Sequence, residues 1–199
     1  MDAKADALFK KLGRSHPTPQ KVQALLRRLS YNREEKGETV RSALQAWKSG
    51  KCHCLEAAFI AAAILERNDY PPLVLSLESQ DGLDHVLYIF KARTGWGSIG
   101  RSRDEGLHGR EPRYRSLRDL VWTYVAPFVD HTGRITGYGP ANLDDSASDW
   151  RDSPRNVWKA ERYLIELPHK PLHSSDRRYH RLLSHYRRAG FHARQTHWW

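Results

Sequence analysis

Gly50-Lys-Cys-His-Cys-Leu-Glu-Ala-Ala-Phe-Ile-Ala-Ala-Ala-Ile-Leu65 holds both cysteines of the chain in a short polar entry and then runs into apolar helix formers. From Cys54 to about Arg67 the run is apolar on almost every side, with Leu55, Phe59, Ala62 and Ala63 on one face and Ala58, Ile60 and Ile64 close by. A helix of that kind belongs at the centre of a fold. Gly50 suits the stop of a preceding helix, and Asn68-Asp-Tyr-Pro-Pro72 ends this one, because proline disfavours helix in the residue before it. Cys54 then stands at a helix N-terminus, where unpaired N–H groups and the helix dipole favour an anion and depress a thiol pKa.

Upstream, residues 1–15 read as a short polar helix with Leu8, Phe9 and Leu12 on one face. Thr18 caps a second helix that has Pro19 at its first position and Val22, Leu25, Leu26 and Leu29 at helical spacing. A third, capped by Thr39 or Ser42, carries Val40, Leu44 and Trp47. Downstream, Leu73–Glu78 and His85–Lys91 read as strands, and a glycine turn leads on to Trp96–Gly100, so a small antiparallel sheet is expected against the cysteine helix. Ser116 caps a further helix to Tyr124 with Asp119 in its first turn. The segment 131–140 is turn-rich, 141–155 reads as a mobile loop, and Tyr179–Arg188 as a basic amphipathic helix. The fold class is therefore α+β, divided as an N-terminal helix and linker (1–18), a core (19–128) and a basic C-terminal extension (129–199).

At 199 residues the chain can bury a core without disulfides. Two cysteines one residue apart do not form an ordinary staple, which points to a reducing, cytoplasmic setting. The N-terminus lacks a secretory pattern and no apolar run approaches the ~20 residues of a membrane span, so no membrane is expected among the partners. The net charge of +10 sits at the two ends: +6 for residues 1–50, −2 for 51–100, −1 for 101–150 and +7 for 151–199. A basic groove centred on the cysteines is not indicated.

A cysteine nucleophile needs a thiolate, a base and donors for an oxyanion. Cys54 supplies the first and His85, at the mouth of an apolar strand, the second, since a sheet edge and a helix end can meet in space although the two residues are about 30 apart in sequence. Gln23, Gln45 and Asn32 are the candidate side-chain oxyanion donors. The group that orients the imidazole depends on hairpin register. If Arg93-Thr94 are the turn residues, His85 faces Ser102; if Thr94-Gly95 are, it faces Asp104. Asp84 points to the opposite face.

With those residues in view, the chain resembles the transglutaminase-like superfamily of papain-like cysteine enzymes. The resemblance rests on Cys54 opening an Ala-rich helix with Ala58, Tyr70-Pro71 at the helix exit, His85 in a His-Val-x-x-x-Phe-like strand and Trp96 across a glycine turn. More narrowly it is similar to a group of uncharacterised bacterial transglutaminase-like proteins, through His53–Ala57, Asp84-His85, Trp96–Ser102 and Arg110–Leu120, with Gln23 and Tyr31-Asn32 also in keeping. It spans roughly residues 19 to 125. It implies a papain-like core, Cys54 as nucleophile, His85 as base and acyl transfer to water or an amine, with a peptide, protein or small amide as substrate. The superfamily's usual aspartate, four residues after the tryptophan, falls on Gly100, so Ser102 or Asp104 takes that role.

Other readings compete with this one. Cys52, His53, Cys54 and Glu56 are similar to the Cys-x-Glu of zinc deaminases, but that class needs a further Cys-x-x-Cys, so neither a metal nor a cofactor is called for. Cys52 is expected to be structural, Trp96 a packing residue and Glu56 a first-turn carboxylate. The histidines and arginines of the last stretch, with Trp198 and Trp199, offer charge and stacking to nucleic acid. A catalytically inactive protein of the same fold, acting as a binding or scaffolding module through these termini, is the alternative to an enzyme.

Overall fold

The computed structural model describes residues 1–189. His192, His197, Trp198 and Trp199, read above as part of a partner surface, lie outside the described residues.

Helices α1 (Ala3–Ser15) and α2 (Pro19–Leu26) open the chain, each capped by a side-chain oxygen: Asp2 accepts from Ala5 N–H and Thr18 from Lys21 N–H. Strand β1 (Ser30–Tyr31) pairs in parallel with β2 (Lys51–Cys52), and between them α3 (Ala43–Ser49) starts at Ser42 and stops at Gly50, whose φ of 69° places it in the left-handed region. Helix α4 (Cys54–Leu65) comes directly after β2. Every residue from Leu55 to Leu65 is buried, so only its first residue, Cys54, reaches the surface. The alanines let neighbouring helices approach closely. At Gly13 of α1 a Cβ would come within 3.2 Å of the Ile64 carbonyl and 2.8 Å of Arg67 Cβ.

After α4 come β3 (Leu73–Ser79), β4 (His85–Ala92), β5 (Gly95–Ile99), β6 (Arg110–Tyr114), α5 (Leu117–Phe128), β7 (Ile135–Asn142), α6 (Trp158–Ile165), β8 (Lys170–Pro171) and α7 (Asp176–Ala189). The strands form one six-stranded antiparallel sheet in the order β6-β5-β4-β3-β7-β8. Alternate strand residues feed two cores. Val74, Val86, Tyr88 and Phe90 pack under α4 and the helices around it, whereas Leu75, Leu77, Leu87 and Ile89 pack against α5. The molecule is thus a mixed α+β fold of three layers, helix, sheet and helix, and among the described residues no helix is long and apolar enough to cross a membrane.

Three expectations change. The sheet is not small. Its β7 lies beside β3 at the centre, so a boundary at residue 128 would cut through the sheet, and the segment carrying β7 is part of the core rather than an extension. Residues 141–155 are not a loose loop either: Trp150 is fully buried, its ring 6.1 Å from that of Phe59 of α4, and its indole N–H donates to Asp144 at 3.2 Å. Polar composition is a poor guide there, because one large apolar side chain outweighs the surrounding Asp and Ser. Trp150→Ala is expected to cost about 3–5 kcal/mol and to lower the thermal midpoint by roughly 2–4 °C per kcal/mol. A calorimetric scan within a degree of the parent would show the segment to be dispensable.

Candidate functional site

The site is built at the start of α4. Histidine is not among the residues that make good helix N-caps, yet His53 occupies that position. It is held by Glu56, one turn on, which accepts from His53 N–H at 3.1 Å. The Glu56 carboxylate is completely buried and takes two guanidinium hydrogen bonds from Arg41, Nε at 2.7 Å and a terminal nitrogen at 2.8 Å, together with Arg41 N–H at 3.0 Å. These charge-assisted bonds hold the carboxyl below its usual range in spite of burial. The expected first-turn carboxylate is therefore also an anchor for the chain at 39–41. In turn the Thr39 carbonyl accepts from His53 Nε2 at 2.8 Å, which orients the imidazole.

The Cys54 thiol lies between two imidazoles, His53 and His85. Burial alone would push it up, but hydrogen bonds from both histidines, and their charge, pull it down to about 5. For His53, burial works against the charged ring, and the Cys54 partner with Glu56 nearby raises it to about 9. Both shifts favour a thiolate beside an imidazolium at a helix N-terminus. Cys52, two residues earlier, shows the opposite environment: it is fully buried and its thiol is pushed up to about 12, mainly by burial and then by the Glu56 charge.

His85 opens β4 opposite Leu77 of β3. Its Nε2–H donates to the Leu107 carbonyl at 2.9 Å, leaving Nδ1 as the nitrogen for the thiol. This corrects the expected orienting group. The hairpin does turn at Arg93-Thr94, since Ala92 pairs with Gly95, but β5 stays paired with β4 only as far as Tyr88 and Ile99, so Ser102 never comes opposite His85. Ser102 Oγ instead accepts from Asp104 N–H at 3.3 Å, and Asp104 meets Arg103 at 3.4 Å. Both residues are buried beside the site and line its cleft, without making the imidazole's Nε2 hydrogen bond. Gly100 has no side chain to offer, and a Cβ there would stand 2.8 Å from Leu87 Cδ2, so a larger residue would have to displace that methyl group.

Gln23, expected as an oxyanion donor, is what bends the chain away. Its Nε2 donates to the Gly100 carbonyl at 2.9 Å, and its Oε1 accepts from Gly100 N–H at 2.9 Å and Gly109 N–H at 3.2 Å. The amide is spent on holding the loop, and Gln23 does not line the cleft. From the other side Arg110, buried and stacked 4.0 Å over the Tyr124 ring, donates to the carbonyls of Gly106 and His108 at 2.7 Å each. Together they hold the short turn Glu105–Leu107 that carries the His85 acceptor. Gln45, on α3, is away from the cleft as well. Asn32 does line it: it comes just after β1 beside Cys52, and Nδ2 gives one hydrogen to Thr39 Oγ1 at 2.9 Å. Tyr31 joins it there, its phenol raised by burial and then by the Cys54 charge.

The cleft has a volume of about 660 Å³ and opens at the end of the sheet where the two cores part, between Leu55 and Leu164 of one and Leu107 and Phe128 of the other. Among the described residues no group of three His, Cys, Asp or Glu side chains is placed to hold a metal ion. No protein-family model matches the chain, and a search of curated proteins finds no match.

Gln23→Ala strands three backbone groups of the Leu107 loop and is expected to cost about 1–3 kcal/mol, with hydrogen exchange at Gly100 and Gly109 accelerated while the β3 amides keep their protection. Arg110→Lys is expected to act in the same direction, because an ammonium cannot reproduce the planar fork. Unchanged exchange at Gly109 in both variants would contradict the clamp.

Proposed function

We propose that the chain is a cysteine-dependent acyl-transfer enzyme of the transglutaminase-like, papain-like type, acting on amides or esters and passing the acyl group to water. The observation that carries this reading is the placement of the Cys54 thiol at a helix N-terminus between His53 and His85, lining a cleft, where both imidazoles favour its anion.

In this mechanism the Cys54 sulfur attacks the carbonyl carbon of the substrate and the C=O pair moves to oxygen. The Cys54 N–H and the second hydrogen of Asn32 Nδ2 receive that charge, in keeping with the α4 N-terminus and the cleft position of Asn32. His85 gives its Nδ1 proton to the departing nitrogen or oxygen, the carbon–heteroatom bond breaks and a thioester remains. Water enters, loses a proton to His85 and displaces the thiolate, which completes the cycle with no net change in the enzyme. The Leu107 carbonyl keeps Nε2 protonated throughout and so fixes which nitrogen moves the proton. His53 does not move a proton; its positive charge lowers the energy of the thiolate.

Two opposed shifts set the pH profile. Thiolate is formed as pH rises through about 5, and the His53 charge is lost as pH rises through about 9. Acylation of Cys54 by para-nitrophenyl acetate, followed by mass spectrometry of the acetylated peptide, is expected to rise through the first value and to persist through the second, because the thiolate remains when His53 loses its charge. His53→Gln should move the rise to higher pH, and His85→Ala should slow acylation by about 10²–10⁴-fold. Acetylation that is as fast in Cys54→Ser as in the parent would end the reading and leave a binding module of the same fold.

A further inference from the structure

The cleft is acidic in a chain that is basic. Lys and Arg outnumber Asp and Glu by 33 to 23 overall, yet seven carboxylates and two guanidinium groups line the cleft. One of those two, Arg103, is already engaged by Asp104 at 3.4 Å. Glu34, Glu38, Asp81, Asp84 and Glu161 make no ion pair with Lys or Arg among the described residues; Glu34 approaches only His53, at 4.0 Å. The crowding is felt: Glu161 is raised by burial and then by Glu38 and Glu34, against a lowering by His53, and Asp84 by burial with Glu78 and Asp81 adding.

Among the described residues, exposed apolar side chains gather in the same place. Of the four large ones that are exposed, Leu83, Trp158 and Ile165 line this cleft, at 64%, 39% and 63% exposure. Each stands close in sequence to a carboxylate that also lines it. Leu83 sits between Asp81 and Asp84 in the β3–β4 turn, and Trp158 and Ile165 flank Glu161 on one face of α6, at the i, i+3 and i+7 positions. A surface that sets apolar area beside anionic charge matches side chains that carry a cation at the end of a methylene stem, the form of lysine and arginine. The Trp158 ring adds a face for that cation.

We propose that the cleft selects an extended peptide segment carrying Lys or Arg interspersed with apolar residues, laid across Cys54. That this segment is cut or transferred rests on the acyl-transfer reading above; that it is bound does not. The volume of about 660 Å³ is of the size that holds a ligand of a few residues. Two such pairings, one at α6 and one at the β3–β4 turn, call for cations at more than one position along a chain, which a single small amine does not supply.

The test uses the full chain with Cys54→Ala, so that nothing is turned over, and short dye-labelled peptides alternating Leu with Lys, Gln or Glu, read by fluorescence anisotropy. The Lys peptide is expected to bind about tenfold tighter than the Gln peptide, the scale of one or two partly exposed charge pairs, with the Glu peptide weakest and the preference shrinking as salt is added. Glu38→Gln with Glu161→Gln should remove most of that preference while keeping the thermal midpoint. Equal binding of the Lys and Gln peptides, or binding of neither, overturns the proposal; so does spermidine competing as well as the Lys peptide, which would make the ligand a small amine. Acetylation of Cys54 by the neutral aryl ester in the parent protein reports on the acyl-transfer reading separately, so failure of one is visible without failure of the other.

Discussion

The burial of α4 on every side dictates the rest of the architecture. A helix with eleven consecutive buried residues has no solvent face, so neighbours must cover it all round: α1, α2 and α3, the sheet beneath, and α6 with Trp150. Its one opening is the N-terminal end. There the chain places its only partly exposed thiol, where the backbone N–H groups are unpaired and the dipole is positive. Apolar packing thereby positions a reactive group with little conformational freedom, and the groups that tune it, His53 before the helix and Glu56 in its first turn, belong to the same local chain.

The second half of the site arrives from a different direction and needs a different device. His85 comes on the central strand β4, and its partner is a backbone carbonyl in a loop rather than a side chain. A carbonyl orients an imidazole as well as a carboxylate does in geometry, but it adds no full negative charge at that nitrogen. The loop must then be rigid in its own right, and Gln23 and Arg110 supply that rigidity.

Much of this was legible in the residues, and the parts that were not have physical reasons. The cysteine helix, its C-terminal stop and the β4 strand could be read because they depend on apolar periodicity and on short-range stop signals, and Cys54 with His85 because a helix-start thiol and a strand-start imidazole are the residue types a cysteine nucleophile needs. The hairpin turn was narrowed to two registers, of which Arg93-Thr94 holds, but register counting assumes that pairing continues, and Gln23 ends it at Ile99 from 77 residues away. The Leu107 carbonyl has no sequence signature, since every residue carries one. His53 was readable in principle: a histidine at an N-cap with Glu three residues on is an unusual choice where Ser, Thr or Asp serve better. The charge balance along the chain showed that a basic groove was not centred on the cysteines, but the acidic cleft is assembled from residues between 34 and 161 and is visible only in three dimensions.

The chemistry stands on the ionisation of one sulfur. Ultraviolet thiolate absorbance of the Cys52→Ser protein, titrated from acid to neutral pH, reads Cys54 alone. The structure predicts a midpoint near 5, moved upward by His85→Gln. A midpoint at the unperturbed value of about 8.5, indifferent to His85, would contradict it.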